Sequence, residues 1–421
     1  MRTFKFALPT ILLVSMLTAR GTLIAQEPDL ETSPAQEFSC GELCDPAELG
    51  LDAGGLEKID ATCREWIEND DIAGCSAMII RDGRVGYFKC FGHRDRAEEL
   101  PIERDTIFRI YSMSKPVTSV AVMQLVEQGK ISLDDPASKF LPGFDELTVM
   151  KIDGDDPEEI PARREITIRD LLSHTAGLTY GFFGDTEVDM EYRRQGVLIM
   201  DTDLEDMCSK LADIPLLYQP GERWHYSVAS DVLGRVVEVA SEQTLDAYLE
   251  EHIFQPLGMK DSFFSLPADR LSRLAEMYTP ELEPAAAWES FRFRNANNKF
   301  FSGGGGLCST IDDYGRFAQM LTNRGELDGT RILKSETIDS MFTNQLGGLD
   351  NPPGSFQFGL GFRISDRGDN GSDYGWGGAA GTRFWSNPEK NLSVLFMVQI
   401  KPTPQQFGER ILNLTYQAME E

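Results

Sequence analysis

Histidine is scarce in this 421-residue chain, which has four, His93, His174, His225 and His252. No two stand three or four positions apart, so no helix face can pair two imidazole ligands, and no metal site is expected. Nothing points to a Ser-His-Asp triad, and the absence of G-x-S-x-G removes the nucleophile elbow of the α/β-hydrolases. Cysteine numbers seven without a C-x-x-C pair, so there is no zinc or dithiol pattern, and the odd count leaves at least one thiol without an intramolecular partner. Basic residues are also few. Lys and Arg total 40 against 68 Asp and Glu, a net charge of −28, so no nucleic acid is expected as a partner and anionic surfaces should repel the chain. After the first 25 residues no apolar run is long enough to span a bilayer, so no stable membrane insertion is expected. Internal repeats and low-complexity linkers are missing too.

What is present supports a large core, since 41% of residues are hydrophobic. Residues 1–25 carry Arg2, Lys5 and Arg20 around the apolar run "FALPTILLVSML". They read as a secretory signal peptide, hence an exported protein, periplasmic or secreted; an uncleaved anchor is the alternative, because Leu23 suits the cleavage site poorly. Cys40 is too far from the apolar run to be a lipoprotein cysteine. Residues 26–50, rich in Pro, Glu and Ser, read as a mobile segment, and 51–421 as the folded domain.

Within that domain "GLEKIDATCREWIEN" has helical spacing, and "CSAMIIRDGRVGYFKC" reads as a hairpin turning at Asp82-Gly83. A two-residue turn there would set Cys75 opposite Cys90, either as a cross-strand disulfide or as two buried thiols. A buried helix is expected from Ser112 to about Gln128, with Pro116 in its first turn. Helical patterns dominate about 130 to 290, interrupted by the acidic loop "KIDGDDPEEIP". Ser309 or Thr310 then caps another helix. Strand signals return in "FQFGLGFRIS", "AGTRFWSN" and "NLSVLFMVQI", before a closing helix in "TPQQFGERILNLTYQAM". The reading is an α/β fold: one antiparallel sheet built from both ends of the chain, flanked by terminal helices, with a large helical region inserted.

The chemistry centres on "IYSMSKPV". Residues three apart on a helix share a face, so the Lys115 amine can reach the Ser112 hydroxyl. A hydroxyl is a weak nucleophile until a base takes its proton, and a lysine can serve as that base or as a local positive charge. The alternative is a helix cap beside a solvated lysine.

Further stretches decide between them. In order, "LDDPASKFLP", "LLSHTAGL", "ERWHYSVASDVLGRVVE", "GGGGLCST" and "YGWGGAAGTRF" resemble the serine β-lactamase-like family over roughly 50 to 415. That family takes in class C β-lactamases, D-Ala-D-Ala carboxypeptidases and family VIII carboxylesterases. The resemblance implies Ser112 as acyl-accepting nucleophile, Lys115 as its partner and Tyr226 as proton shuttle. It places Trp376, Gly377 and Gly378 beside the substrate at the start of a strand, and forms an oxyanion hole from the backbone N–H groups of Ser112 and Ala379. No cofactor is implied.

The chain departs from the family twice. Tyr226-Ser227-Val228 stands where Tyr-x-Asn is usual, and Trp376-Gly377-Gly378 where Lys-Thr-Gly or His-Thr-Gly is usual. An amide, a cation and a hydroxyl that would hold a β-lactam or peptide carboxylate are missing, as in the carboxylesterase branch. The expected activity is therefore hydrolysis of a small-molecule ester, or an amide, through an acyl-serine. A β-lactamase or D-Ala-D-Ala carboxypeptidase and a non-catalytic cell-wall or partner-binding scaffold are the competing readings. "GGGG" at 303–306 lacks a following Lys-Ser/Thr and reads as a close backbone approach rather than a phosphate loop. His174 reads as a packed histidine, His225 and Trp224 as flanking the cleft, and Trp66 and Trp385 as core.

Overall fold

The computed structural model describes residues 43–151, 158–199, 202–286, 293, 295, 297–347, 349, 357–403 and 406–420. The expected leader over 1–25, the segment up to 42 with Cys40, and the acidic loop's tip at 152–157 lie outside these residues.

Alternation along two strands from opposite ends of the sequence builds the centre of the sheet. In β1 (Gly74–Arg81), Ala77 and Ile79 enter one core while Met78 and Ile80 enter another. In β14 (Leu392–Val398), Val394, Phe396 and Val398 join the first core, and Leu395 and Met397 the second. Both strands are buried on both faces, hence their nearly unbroken apolar sequences. They pair antiparallel from Cys75↔Val398 to Arg81↔Leu392. The sheet extends on one side through β2 (Arg84–Asp95) and β3 (Leu100–Pro101). On the other it runs through β13 (Arg383–Asn387), β12 (Ser372–Gly377), β11 (Arg363–Asp366) and β10 (Gln357–Phe358). Three two-stranded pairs lie apart from it: β4 (Phe108–Arg109) with β7 (Cys308–Ser309), β5 (Thr148–Lys151) with β6 (Glu158–Pro161), and β8 (Glu326–Leu327) with β9 (Thr330–Arg331).

Helices cover both faces. On one lie α1 (Ala53–Glu68) and the C-terminal helix α11 (Gln406–Glu420), packed so closely that a β-carbon on Gly55 would stand 2.6 Å from Ala418. On the other, one apolar core joins the sheet to α2 (Ser114–Glu127), then α3 (Ile168–Leu172), α4 (Glu187–Gln195), α5 (Leu204–Ala212), α6 (Ala229–Ser241), α7 (Leu245–Leu249) and α8 (Gln255–Leu257), and then α9 (Ile311–Thr322) and α10 (Ser335–Met341). Thr310, not Ser309, caps α9, its side chain accepting from the Asp313 N–H. The expected α/β architecture with an antiparallel sheet and flanking helices is the one observed. Among the described residues no helix is long and apolar enough to cross a membrane.

The expected pairing of Cys75 with Cys90 is corrected. The turn at Asp82-Gly83 has both residues at positive φ, 50° and 73°, and Arg81 pairs with Arg84 as a two-residue hairpin requires. The register then slips between Ile79 and Ile80, so Ile80 faces Val85 but Ile79 faces Tyr87. The skipped residue is Gly86, where a β-carbon would lie 2.7 and 2.8 Å from Leu51 and Leu49. The incoming N-terminal segment leaves room only for glycine and bulges the strand. One residue of slip turns every later side chain over. Cys75 therefore faces Phe91, Cys90 faces Ser76, and both remain thiols.

Candidate active site

The nucleophile candidate lies just ahead of the expected helix. Ser112 belongs to a 3-10 turn, Tyr111–Met113, and the α-helical backbone begins at Ser114. Tyr111 has φ 42°, a left-handed conformation that a bulky residue adopts only when its surroundings hold it. Here Tyr111 is buried with Met277 and Ala380, edge-on to Phe293. The tight turn still leaves Ser112 and Lys115 on one side.

Lys115 is 1% exposed, and three of its contacts define the site. Its Nζ donates to Ser112 Oγ at 3.2 Å, to the Tyr180 hydroxyl at 2.7 Å and to the Gly304 carbonyl at 2.6 Å, accounting for its three protons. Tyr226 Oη lies 2.8 Å from Ser112 Oγ, with the Trp376 indole N–H donating to it at 3.3 Å. The Lys115 ammonium stands 4.6 Å from the centre of the Tyr226 ring. Structure thus brings Ser112, Lys115, Tyr226 and Trp376 into one cluster. Ser112 and Tyr226 are half-buried, open to a ligand.

Trp376 and Gly377 end β12 instead of starting a strand. The turn Gly378–Gly381 follows, with the Gly378 N–H donating to the Thr382 carbonyl and Gly381 at φ 93°. A β-carbon on Gly378 would stand 2.4 Å from the Ile110 carbonyl, so the turn lies against the backbone just before Ser112. Ala379, which is exposed, follows Gly378 in that turn.

The "GGGG" segment is the expected close approach. β-Carbons on Gly303 and Gly304 would stand 2.5 Å from the Ser230 carbonyl and 2.4 Å from the Asp231 carboxylate. Asp231, 1% exposed in the first turn of α6, accepts at Oδ1 from Ser302 Oγ at 2.5 Å and from the Gly304 N–H at 3.0 Å. It thereby holds the carbonyl that receives the Lys115 ammonium, making Asp231 a positioning residue. Asp231→Ala strands two buried donors, each costing about 1–3 kcal/mol. It is expected to lower kcat about 10- to 100-fold with little change in KM, while Asp231→Asn, which keeps an oxygen at the acceptor position, retains most of kcat. Steady-state kinetics on the three proteins checks this.

His174 is 1% exposed, ringed by Trp224, Tyr226 and Phe358, with its Nδ1 3.3 Å from Ser227 Oγ. Burial, and secondarily the Lys115 charge, hold its imidazole well below the usual range, so it is neutral packing under Tyr226. Trp224 stacks on Tyr226 at an interplanar angle of 17°, while the His225 ring turns to Tyr218. Trp385 is buried in the core between the sheet and the terminal helices, and Trp66, half-buried, packs against it. Val228 is fully buried, and Arg383, the nearest cation along the chain to the third motif, turns to Glu409 of α11 at 3.5 Å. Among the described residues no cluster of His, Cys, Asp and Glu could hold a metal. A 560 Å³ cavity, lined by residues including Phe144, Leu147, Arg164 and Leu216, contains none of the site residues.

Sequence reasoning missed Tyr180 and Asp231. The available signal for Tyr180 was "TYGFFG", three aromatics around Gly181 directly after "LLSHTAGL".

Comparison with known proteins identifies relatives over most of the chain. The chain is 34% identical over 370 residues to protein Rv1367c of Mycobacterium tuberculosis (strain ATCC 25618 / H37Rv), covering 82% of this chain and 90% of that one. It is 36% identical over 223 residues to esterase EstB of Burkholderia gladioli, covering 52% of this chain and 54% of that one. Among solved structures, EstCE1, described as a hydrolase with promiscuous acyltransferase activity, superposes with a TM-score of 0.76 at 28% identity, covering 86% of this chain and 98% of that one. The family model named Beta-lactamase matches residues 59–418, nearly all of the described structure, and the chain therefore belongs to the beta-lactamase family.

Proposed function

We propose that the protein is an exported serine esterase that works through an acyl-Ser112 intermediate. The observation that carries this reading is Ser112 Oγ lying within hydrogen-bonding distance of both Tyr226 and Lys115. A phenol takes a proton only as phenolate, and the Lys115 ammonium stands 4.6 Å from the Tyr226 ring. Tyr226 then receives the Ser112 proton as Oγ bonds to the ester carbonyl carbon. The carbonyl oxygen gains charge between the N–H groups of Ser112 and Ala379. Tyr226 next gives the proton to the departing alcohol oxygen as the C–O bond breaks. Water repeats the sequence on the acyl-serine, its proton passing to Tyr226 and back to Ser112.

Three further observations support esters over β-lactams. The cleft side of the third motif is an indole, Val228 is buried, and Arg383 is engaged elsewhere. EstB supports the same direction by its name, and EstCE1 by its description. The leader at 1–25 is read as removed on export. The test is labelling of the purified protein by a fluorophosphonate, mapped by mass spectrometry, beside hydrolysis of p-nitrophenyl acetate. Label on Ser112 with ester turnover is expected. Absence of both on folded protein overturns the proposal.

A further inference from the structure

Phe182 and Phe183 are the most exposed large apolar side chains among the described residues, at 59% and 61%. Two adjacent exposed rings do nothing for a core, yet their backbone is held firmly. Gly181, at φ 79°, lies where a β-carbon would stand 2.6 Å from Tyr192. Arg193 of α4 donates to the carbonyls of Gly181 and Gly184, and to Asp185 at 3.0 Å. Asp189, 2% exposed, accepts from Thr179 and Thr186 at 2.7 Å each, tying both ends of the loop to one carboxylate.

The rings are aimed at the reacting groups. Phe182 lies 5.0 Å from the Tyr180 ring and 4.5 Å from Phe183, which lies 6.0 Å from Tyr226. These separations are those of interacting aromatic pairs, and they extend the aromatic surface outward from the catalytic tyrosine. Resting on the esterase reading, we infer that Phe182 and Phe183 form a subsite for a planar aromatic group on the leaving alcohol of the ester. The alcohol side follows from Tyr226. The departing oxygen must come within hydrogen-bonding reach of its hydroxyl, so the alcohol's carbon skeleton begins beside the ring that Phe183 abuts. A flat ring covers both phenyl faces with little loss of rotational freedom, whereas an alkyl chain of similar size covers less and must be ordered.

The test compares ratios, which partial unfolding of a variant does not change. Active sites are counted by fluorophosphonate labelling, and kcat/KM is measured for 2-phenylethyl acetate against n-octyl acetate, which has the same number of carbons. On the acyl side the pair is ethyl 3-phenylpropanoate against ethyl nonanoate. The aryl alcohol ester is expected to be preferred by at least about tenfold, falling below about threefold in Phe182→Ala/Phe183→Ala and persisting in Phe182→Tyr/Phe183→Tyr. A ratio near one in the unsubstituted enzyme, a ratio that survives the double alanine variant, or a preference confined to the acyl pair overturns the subsite alone. Protein that is neither labelled nor active on any of the four esters overturns the esterase proposal and the subsite with it.

Discussion

Ser112→Ala is expected to lower ester turnover by on the order of 10⁵-fold or more and to abolish fluorophosphonate labelling. The hydroxyl is the atom on which Lys115 and Tyr226 converge. The fold should survive. After substitution Lys115 still donates to Tyr180 and Gly304, and Tyr226 still receives the Trp376 N–H. Lys115→Ala and Tyr226→Phe should be nearly as severe, and adding either to Ser112→Ala should cost little more, because the three act as a unit. Turnover of p-nitrophenyl acetate by each variant, with circular dichroism to verify folding, checks the set. Residual activity in Ser112→Ala within about tenfold of the unsubstituted enzyme would remove the assignment.

Esters are expected to exceed β-lactams by at least about a hundredfold in kcat/KM. A β-lactam antibiotic carries a carboxylate and a side-chain amide, and a cleft selects for them by offering a cation and polar partners. This cleft presents the Trp376 indole, committed to Tyr226, where such a cation would stand. Val228 contributes nothing to the cleft from the core, and Arg383 is held on the α11 side by Glu409. Each missing hydrogen bond to a charged or polar group costs roughly 1.5–3 kcal/mol, and two reach the stated ratio. An ester requires none of these contacts. Measuring p-nitrophenyl acetate and nitrocefin on one preparation decides the matter, and comparable efficiencies would reassign the substrate class while leaving Ser112 in place.

What could be read in the sequence was what depends on neighbours along the chain. Ser112 and Lys115 share one turn, and Tyr226 sits within a short stretch ahead of α6, so short motifs sufficed. The sheet's central strands declared themselves by composition, because burial on both faces leaves little room for polar residues. What escaped was set by distant partners. Tyr180 meets Lys115 across 65 positions, and Asp231 reaches Gly304 across 73. The bulge at Gly86 arises from Leu49 and Leu51, which no period-two count within the hairpin can include. Trp376 was put at the wrong end of its strand because the glycines after it form a turn, whereas the expectation gave them to the strand.

The pairing of β1 with β14 sets the order in which the protein can assemble. Cys75 meets Val398 more than three hundred residues later, so a chain synthesised from its N-terminus cannot form the middle of its sheet until its last described strand has appeared. Helix α9 waits with its apolar face open, because β13 and β14, on which it packs beside β1, follow it in the chain. A chain interrupted before Leu392 keeps Ser112, Lys115 and Tyr226 and loses the seam between the two halves of the sheet, and such fragments should be cleared by proteolysis or aggregate instead of persisting as smaller folded proteins.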